Sequence, residues 1–185
     1  MSHAALPPSP WVLRWAHLVA PGGELLDLAC GPGRHARWFA ARGHPVSALD
    51  RDREALAALD GVAGVSAVCA DLEHGSPWPF ARRRFAGIVV ANYLYRPLFR
   101  HLIAALAPAG VLIYETFMAG NERFGKPSNP DFLLAPGELV AAFGRELTIA
   151  AFEQGRTERP RAAMIQRLCA VRGGTGEVAL EPRSS

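Results

Sequence analysis

Short apolar runs alternate with helix-type patterns along most of this 185-residue chain, and this alternation limits its possible folds more than any other feature. The apolar runs predict strands at Leu25–Ala29, Pro45–Leu49, Val65–Ala70, Phe85–Ala91 and Val111–Thr116. The intervening patterns predict helices at Arg34–Ala41, Arg53–Leu59 and Pro97–Leu106, and Trp11–Val19 predicts an amphipathic helix before the first strand. Strands that alternate with helices form a parallel sheet covered by helices on both faces.

The pattern changes near the end of the chain, after a predicted helix at Pro136–Phe143. Two strand-like runs follow, Leu147–Phe152 and Ala163–Val171, and only residues 153–162 separate them. This connection is too short for a parallel crossover, so the two strands are expected to pair antiparallel. The sequence therefore predicts an α/β fold, with a single Rossmann-like domain and helices on both faces. Its seven-stranded sheet is expected to be mostly parallel, with an antiparallel C-terminal hairpin strand.

This domain is expected to occupy residues 11–172, between a flexible N-terminus (1–10) and a flexible tail (173–185). The first residues lack the charged and apolar regions of a signal peptide. No apolar run approaches the roughly 20 residues that cross a bilayer. We therefore expect a cytoplasmic protein without a membrane partner.

The charged residues and cysteines suggest neither a nucleic-acid partner nor a metal. The net charge is only +3, and the one dense basic run, Arg82 to Arg84, is interpreted as a solvated loop. The three cysteines form no Cys-x-x-Cys pair, and each lies in or beside an apolar run. We expect them to be buried reduced thiols, with no metal site.

A glycine-rich turn lies between the first predicted strand and the first predicted helix. It reads Gly31-Pro32-Gly33, and with Ala36 it fits the loose G-x-G-x-x-A form of a dinucleotide fingerprint. The match alone leaves a nicotinamide cofactor open. Asp27, inside the strand, argues against a pyrophosphate, which its carboxylate would repel. A carboxylate there either accepts hydrogen bonds from a ligand's ammonium group or braces the loop.

Two more acidic residues end the second and third predicted strands. Asp50 closes "VSALD", and Asp71 closes "VSAVCAD". The carboxyl ends of parallel strands meet at one edge of the sheet, where open α/β folds bind their ligands. The sequence therefore predicts one crevice that contains Asp27, Asp50 and Asp71.

The string Asp27-Leu28-Ala29-Cys30-Gly31-Pro32-Gly33, with Asp50 and Asp71, resembles the class I S-adenosylmethionine-dependent methyltransferases. The resemblance covers about residues 9–172 and implies S-adenosylmethionine as cofactor and S-adenosylhomocysteine as product. It implies that Asp50 holds the ribose hydroxyls and that Asp71 receives the adenine amino group. The implied cofactor contacts are Asp27, Ala29, Cys30, Gly31, Gly33, Asp50, Arg51, Asp71, Leu72, Asn92 and Tyr93. Within the superfamily, the compact size and "NYLYRP" most resemble tellurite-resistance-type and related small-molecule enzymes.

Methyl transfer from a sulfonium requires mainly that the protein align the acceptor and exclude water. An amine or hydroxyl acceptor also needs a base, for which Glu115 and Tyr93 are the candidates. The chain reads Asn92-Tyr93-Leu94-Tyr95 where enzymes that methylate base amines carry a Pro-Pro element, and it contains no Pro-Cys pair. A small-molecule acceptor is therefore expected. A non-catalytic S-adenosylmethionine-binding protein and a nicotinamide-dependent dehydrogenase remain as alternatives.

Candidate acceptor residues lie in three parts of the chain. A long Gly-, Asn- and Pro-rich connection after the fifth strand carries Asn121, Arg123 and Lys126 between aromatic residues, which suits an anionic acceptor. Tyr95 and Arg96, after the fourth strand, are expected at the same rim. Trp11 and Trp15 either close over the site as a lid or pack their helix onto the sheet. Alternatively, the loop cations are solvated and Glu115 only braces the loop.

Overall fold

The structure, a computed structural model, describes residues 6–173 and 177–182 and contains one seven-stranded sheet. The strands are β1 Leu25–Leu28, β2 Val46–Asp50, β3 Val65–Cys69, β4 Phe85–Ala91, β5 Leu106–Phe117, β6 Leu147–Thr157 and β7 Ala163–Arg172. They lie in the order β3-β2-β1-β4-β5-β7-β6. The first five pair in parallel, and β7 is antiparallel to both β5 and β6. The predicted fold class is confirmed.

Short helices connect the strands. They are α1 Pro10–Trp15, α2 Arg34–Ala40, α3 Arg53–Ala57, α4 Phe99–Ala105 and α5 Glu138–Phe143. Single 3₁₀ turns follow α1 at Ala16–Leu18, precede α4 at Arg96–Leu98, and occur in the long loop at Asn121–Arg123 and Pro130–Phe132. The elements predicted from periodicity are all present, with ends that shift by a few residues.

Two apolar layers cover the sheet, because alternate side chains of a strand point to opposite faces. Leu26 and Leu28 of β1 belong to the layer that includes α4 and α5, whereas Leu25 belongs to the layer that includes α1 and α2. All four residues of β1 are buried. A central parallel strand covered on both sides explains why Asp27 is the only polar residue of this run.

The strand order reverses at β1, since β2 lies on one side of it and β4 on the other. The connections from the carboxyl ends of β1 and β4 therefore run to opposite sides and leave a crevice between them. The site described below lies at this point.

Two strands are longer than the sequence predicts. β6 continues to Thr157, which pairs with Ala163, so the hairpin loop contains only residues 158–162. The extension, residues 153–157, lies in an edge strand, and its exposed polar residues hide the strand pattern. β5 begins at Leu106, which pairs with Phe85 before a register shift, whereas the sequence placed Leu106 in a helix.

The ends of the chain differ in part from the expected boundaries. Residues 1–5, 174–176 and 183–185 lie outside the described residues. The flexible segments predicted at the two ends of the chain fall partly on these residues. Pro10 begins α1 and Ser9 is buried, so the N-terminal boundary is earlier than the predicted residue 11. Val178 packs against the α1–α2 layer. No helix among the described residues has the length and apolarity to cross a membrane.

Candidate functional site

A cleft of about 270 Å³ lies at the carboxyl ends of β1 to β4. Its walls come from the four loops that follow these strands. The lining residues are Leu28, Ala29, Leu49, Asp50, Arg51, Ala70, Asp71, Leu72, Glu73, Asn92 and Tyr93. Seven of the predicted cofactor residues therefore come together at one place, and Glu73 joins them.

The glycine turn connects this cleft to α2. Gly33 has a φ of +77°, and a Cβ on it would lie 2.3 Å from Cδ2 of Leu59, so only glycine fits at this position. Ala29 and Asn92, two non-glycine residues of the cleft, also have left-handed backbones, with φ of 54° and 58°. Such conformations are uncommon outside glycine and often occur at functional sites.

Asp27 lies beneath the cleft rather than in its wall. Its side chain is almost completely buried, and Oδ2 accepts the backbone N–H of Ala36 at 2.9 Å in the first turn of α2. The Nδ1 atom of His35 lies 3.8 Å from Oδ1. Of the two roles predicted for Asp27, the geometry supports bracing of the loop, because the buried carboxylate accepts the N–H of Ala36 and does not line the cleft.

Asp50 faces the cleft and organises the turn beside it. Its Oδ2 accepts the N–H of Gly31 at 2.7 Å, and its Oδ1 accepts the N–H of Asp52 at 2.9 Å. Each oxygen of an ionised carboxylate accepts two hydrogen bonds, so one acceptor position on each oxygen is left for a ligand. This arrangement suits a vicinal diol.

Asp71 closes the third wall of the cleft. Its Oδ1 accepts the N–H groups of Glu73 and His74, and its Oδ2 contacts Nδ1 of His74 at 3.0 Å. Burial opposes ionisation of Asp71, but the bonds from Glu73 and the contacts with His74 together hold its pKa below the ordinary value. Asp71 is therefore an anion that accepts hydrogen bonds.

Tyr93 follows β4, and its hydroxyl faces the Glu73 carboxylate. Burial and then this carboxylate raise the pKa of Tyr93 above its ordinary value. The backbone carbonyl of Tyr93 accepts a hydrogen bond of 2.9 Å from the hydroxyl of buried Tyr114. Tyr93 is consequently a protonated donor at neutral pH, and a base at this position needs a different group.

Cys30 is a predicted cofactor residue that does not line the cleft. The thiol is buried, and burial followed by the charges of Asp27 and Asp50 raises its pKa well above the ordinary value. Gly31 and Gly33 form the turn next to the cleft without belonging to its lining residues. Cys30 is therefore an unreactive thiol that packs behind the turn.

Glu115, near the end of β5, is paired with a cation. Its Oε2 accepts a hydrogen bond of 3.1 Å from Nε of Arg167 on β7, and Arg167 also contacts Glu153 on β6 at 3.4 Å. The three residues are direct cross-strand neighbours. Glu115 does not line the cleft, and its partner lies on the neighbouring strand β7, so the geometry supports a bracing role, although it braces the β5–β7 pair rather than the loop.

Arg96 and Asn121, both predicted to contact the acceptor, are occupied by structural bonds. Arg96 binds both carboxylate oxygens of Glu138, at 2.6 and 3.0 Å, and the carbonyls of Asp131 and Leu133. Asn121 is buried, and its amide donates to the carbonyl of Pro127 and accepts the N–H of Met164. Both residues tie the long loop to the fold, which explains why they carry polar groups there.

Arg123 and Lys126 are exposed and lie away from the cleft walls. The Nε atom of Arg123 donates to the carbonyl of Gly120, and its guanidinium lies over Phe124. Lys126 lines a separate open groove of about 420 Å³ with residues 127–129 and Phe132. The predicted loop cations therefore do not join the predicted cofactor residues in one cavity.

Trp11 and Trp15 pack α1 onto the sheet. Both are buried in the α1–α2 layer, and Nε1 of Trp11 donates to the carbonyl of Leu168. Their rings meet edge to face, with centroids 5.7 Å apart. Neither lines the cleft, so of the two predicted roles the structure supports packing. Tyr95 is half-buried and packs against the opposite apolar layer.

The fold is similar to those of solved methyltransferases. TehB from Haemophilus influenzae superposes with a TM-score of 0.75 at 16% identity, over 89% of this chain and 62% of that one. The chain thus spans less than two thirds of TehB. An S-adenosylmethionine-dependent methyltransferase from Mesorhizobium loti gives 0.68 at 22% identity, over 88% and 97% of the two chains. The N-methyltransferase NodS from Bradyrhizobium japonicum, in complex with S-adenosylhomocysteine, gives 0.65 at 17%, over 90% and 89%.

The sequence itself matches a family model. Residues 25–110 match the model described as a methyltransferase domain, and this range includes β1, the glycine turn and every wall of the cleft. Over this range, and in its fold, the chain is similar to S-adenosylmethionine-dependent methyltransferases. No curated protein gives a significant match to the sequence. The methyltransferase-domain match and the S-adenosylhomocysteine bound by NodS support S-adenosylmethionine as the cofactor.

Two polar residues at or beside the cleft were not predicted from the sequence. Glu73 lines the cleft two residues after Asp71, but no periodicity distinguishes it from a solvated loop acid. His35 is 2% exposed and contacts both Asp27 and Ser9. Its place directly after the glycine turn was the only available signal, and its partner Ser9 lies 26 residues earlier in the chain.

Proposed function

We propose that this protein transfers the methyl group of S-adenosylmethionine to a small-molecule acceptor. The observation that carries the proposal is the cleft, in which Asp50 and Asp71 follow neighbouring strands and face one cavity. Asp50 has one free acceptor position on each oxygen for the ribose hydroxyls, and Asp71 is an ionised acceptor for the adenine amino group. Leu72 and Ala70 supply apolar surface beside it.

In this proposal the chain binds and aligns, while the cofactor supplies the chemical drive. Asn92 and Tyr93 lie at the end of β4, where we place the sulfonium end of the cofactor. The protonated hydroxyl of Tyr93 is bonded to the Glu73 carboxylate, so Tyr93 shapes this end of the cleft and is not the base. Glu115 serves as a base only for an acceptor that displaces Arg167 from its carboxylate, since the two side chains are bonded at 3.1 Å.

An anionic acceptor is the narrower form of the proposal, and it depends on Arg123 and Lys126. These cations follow β5, so they belong to the same edge of the sheet as the cleft, although they do not line it. An acceptor that uses them extends from the cleft across the end of β5. In the alternative of a non-catalytic S-adenosylmethionine-binding protein, the cofactor site is the same but no methyl group is transferred.

The test combines binding with turnover. Titration calorimetry with S-adenosylhomocysteine should show stoichiometric binding. Incubation with S-adenosylmethionine and a panel of small anions, thiols, amines and metalloid oxyanions should then release S-adenosylhomocysteine with one class. An R123A/K126A variant that keeps the wild-type KM for the acceptor would contradict the anionic form. Absence of cofactor binding would contradict the function itself, and binding without turnover on any acceptor would favour the non-catalytic protein.

A further inference from the structure

A buried histidine connects the N-terminal segment, residues 6–18, to the glycine turn. His35 is the second residue of α2 and does not line the cleft. Ser9, Asp27 and His35 are each at most 3% exposed. Three elements therefore meet at one imidazole: the residue before α1, the strand β1 and the helix α2.

The hydrogen bonds determine which nitrogen of His35 carries the proton. The backbone N–H of Ser9 donates to Nε2 at 3.1 Å. A peptide N–H only donates, so Nε2 is the acceptor, and the ring proton of the neutral imidazole is assigned to Nδ1. Nδ1 lies 3.8 Å from Oδ1 of Asp27, which is too far for a hydrogen bond. The nearby carboxylate oxygen still favours the ring proton on Nδ1, because the hydrogen of an N–H carries a partial positive charge.

The same residues enclose the glycine turn from both sides. Asp27 precedes the turn and accepts the N–H of Ala36, while His35 follows the turn and accepts the N–H of Ser9. The turn between them contains Gly31, whose N–H is bonded to Asp50 in the cleft. The glycine turn is therefore flanked on both sides by buried hydrogen bonds, and its Gly31 is bonded to the wall of the cleft.

The first half of the N-terminal segment has further anchors. Ser9 Oγ accepts the N–H of Trp11 and caps α1, and the carbonyl of Pro7 accepts a hydrogen bond from Arg34. Further along, Nε1 of Trp11 donates to the carbonyl of Leu168 in β7. His35 is the buried contact that joins this segment to α2 beside the turn.

We propose that His35 is a positioning residue for cofactor binding, which holds the N-terminal segment on α2 and thereby keeps the glycine turn in its binding conformation. A turn that is already ordered loses less conformational freedom when the ligand binds, so the affinity is higher. The inference rests on the proposed function, because S-adenosylmethionine is the ligand concerned.

Two variants separate the functions of the two ring nitrogens. In H35Q the side-chain carbonyl reaches the position of Nε2 and keeps an acceptor for the N–H of Ser9. In H35N the shorter amide reaches only the position of Nδ1 and loses that acceptor. Calorimetric titration with S-adenosylhomocysteine should show affinity about five- to tenfold weaker in H35N and close to wild type in H35Q. Limited proteolysis should cut residues 6–18 faster in H35N alone.

A second pair of variants leaves His35 unchanged. Ser9 has a φ of −59°, which proline adopts without strain, and proline has no N–H. S9P removes both the donor to His35 and the cap of α1, whereas S9A removes only the cap. Because the proline ring carbon also takes the place of the N–H against Nε2, S9P displaces the imidazole as well, so beyond the loss in S9A we expect it to lose at least as much affinity as H35N.

A matched control is the other buried histidine of this region. His44 contacts the carbonyl of Gly23 through Nδ1 at 2.9 Å and precedes β2, at the edge of the sheet opposite the cleft. H44Q should lower the melting temperature without changing affinity for S-adenosylhomocysteine. Wild-type affinity in a folded H35N, or equal losses in H35Q and H35N, would overturn the role of His35. A wild-type protein that does not bind S-adenosylhomocysteine would instead overturn the proposed function.

Discussion

The carboxylates at the cleft differ in how many hydrogen bonds their oxygens already accept from the protein. Asp50 accepts one backbone N–H on each oxygen, whereas Oδ1 of Asp71 accepts two. Asp27 is covered completely. The residue with the most capacity left for a ligand with two hydroxyls is therefore Asp50.

The first prediction concerns Asp50. We expect D50A to weaken binding of S-adenosylhomocysteine by about 1.5–3 kcal/mol, or about 10- to 150-fold, because a charged hydrogen-bond acceptor is lost. Titration calorimetry measures this. The control is D52A, which removes the cap of α3 next to the cleft and should leave the affinity unchanged. Equal affinities of D50A and wild type would remove Asp50 from the site.

The second prediction concerns the ionisation of Tyr93. Burial and the Glu73 carboxylate raise the pKa of Tyr93, so the phenol stays protonated beyond its ordinary pKa of about 10. Y93F should change the rate of methyl transfer but keep the shape of the pH–rate profile up to about pH 9. A profile that loses its alkaline or acidic limb in Y93F would show that the hydroxyl titrates during the reaction.

At the scale of elements, one ion pair holds the long loop between β5 and α5 in place. Arg96, in the 3₁₀ turn that precedes α4, binds Glu138 at the start of α5 and two carbonyls of the loop. Burial opposes ionisation of Glu138, but the bonds from Arg96 and from the N–H of Ala135 lower its pKa overall. The hydrogen bond to Glu138 is also the main cause of the raised pKa of Arg96.

The third prediction tests this pair. E138Q should cost about 1–2 kcal/mol of unfolding free energy at neutral pH, a range that allows for the partly exposed guanidinium. Because the pKa of Glu138 is lowered on folding, its contribution is present at neutral pH and is lost as the pH falls below about 4. Urea unfolding of wild type and E138Q at neutral pH and below about pH 4 measures the difference in unfolding free energy. E158Q, which breaks an exposed pair with Arg156, should change stability by less than about 0.5 kcal/mol.

At the scale of the whole molecule, one sheet carries both the cleft and the C-terminal hairpin. β5 pairs with β4 on one side and with β7 on the other, so the half of the sheet that contains the cleft continues directly into the hairpin. The two apolar layers extend across this junction. We therefore expect the described domain to unfold in a single transition.

The fourth prediction follows from the expectation that the described domain unfolds as one cooperative unit. S-adenosylhomocysteine at 100 times its Kd should stabilise the folded state by about 2.7 kcal/mol and raise the melting temperature by about 5–10 °C. Scanning calorimetry measures the shift. The shift should be much smaller in D50A at the same ligand concentration. Two separate transitions, of which only one responds to the ligand, would contradict a single cooperative unit.

The sequence alone determined the architecture and the position of the cleft. The alternation of strands and helices predicted the sheet, and the positions of Asp50 and Asp71 at strand ends predicted one crevice, which the structure contains. These features are local. Strand ends are readable from a few neighbouring residues, and parallel strands then bring their ends to the same edge.

Only the tertiary structure decided which polar side chains are free to meet a ligand. Arg96 is bound to Glu138, 42 residues later, and Glu115 to Arg167, 52 residues later. Asn121 joins Met164, and His35 joins Ser9. A polar residue in a loop has the same local pattern whether it binds a substrate or a distant part of the chain. The difference lies in contacts between residues far apart in sequence, which form only when the sheet brings them together.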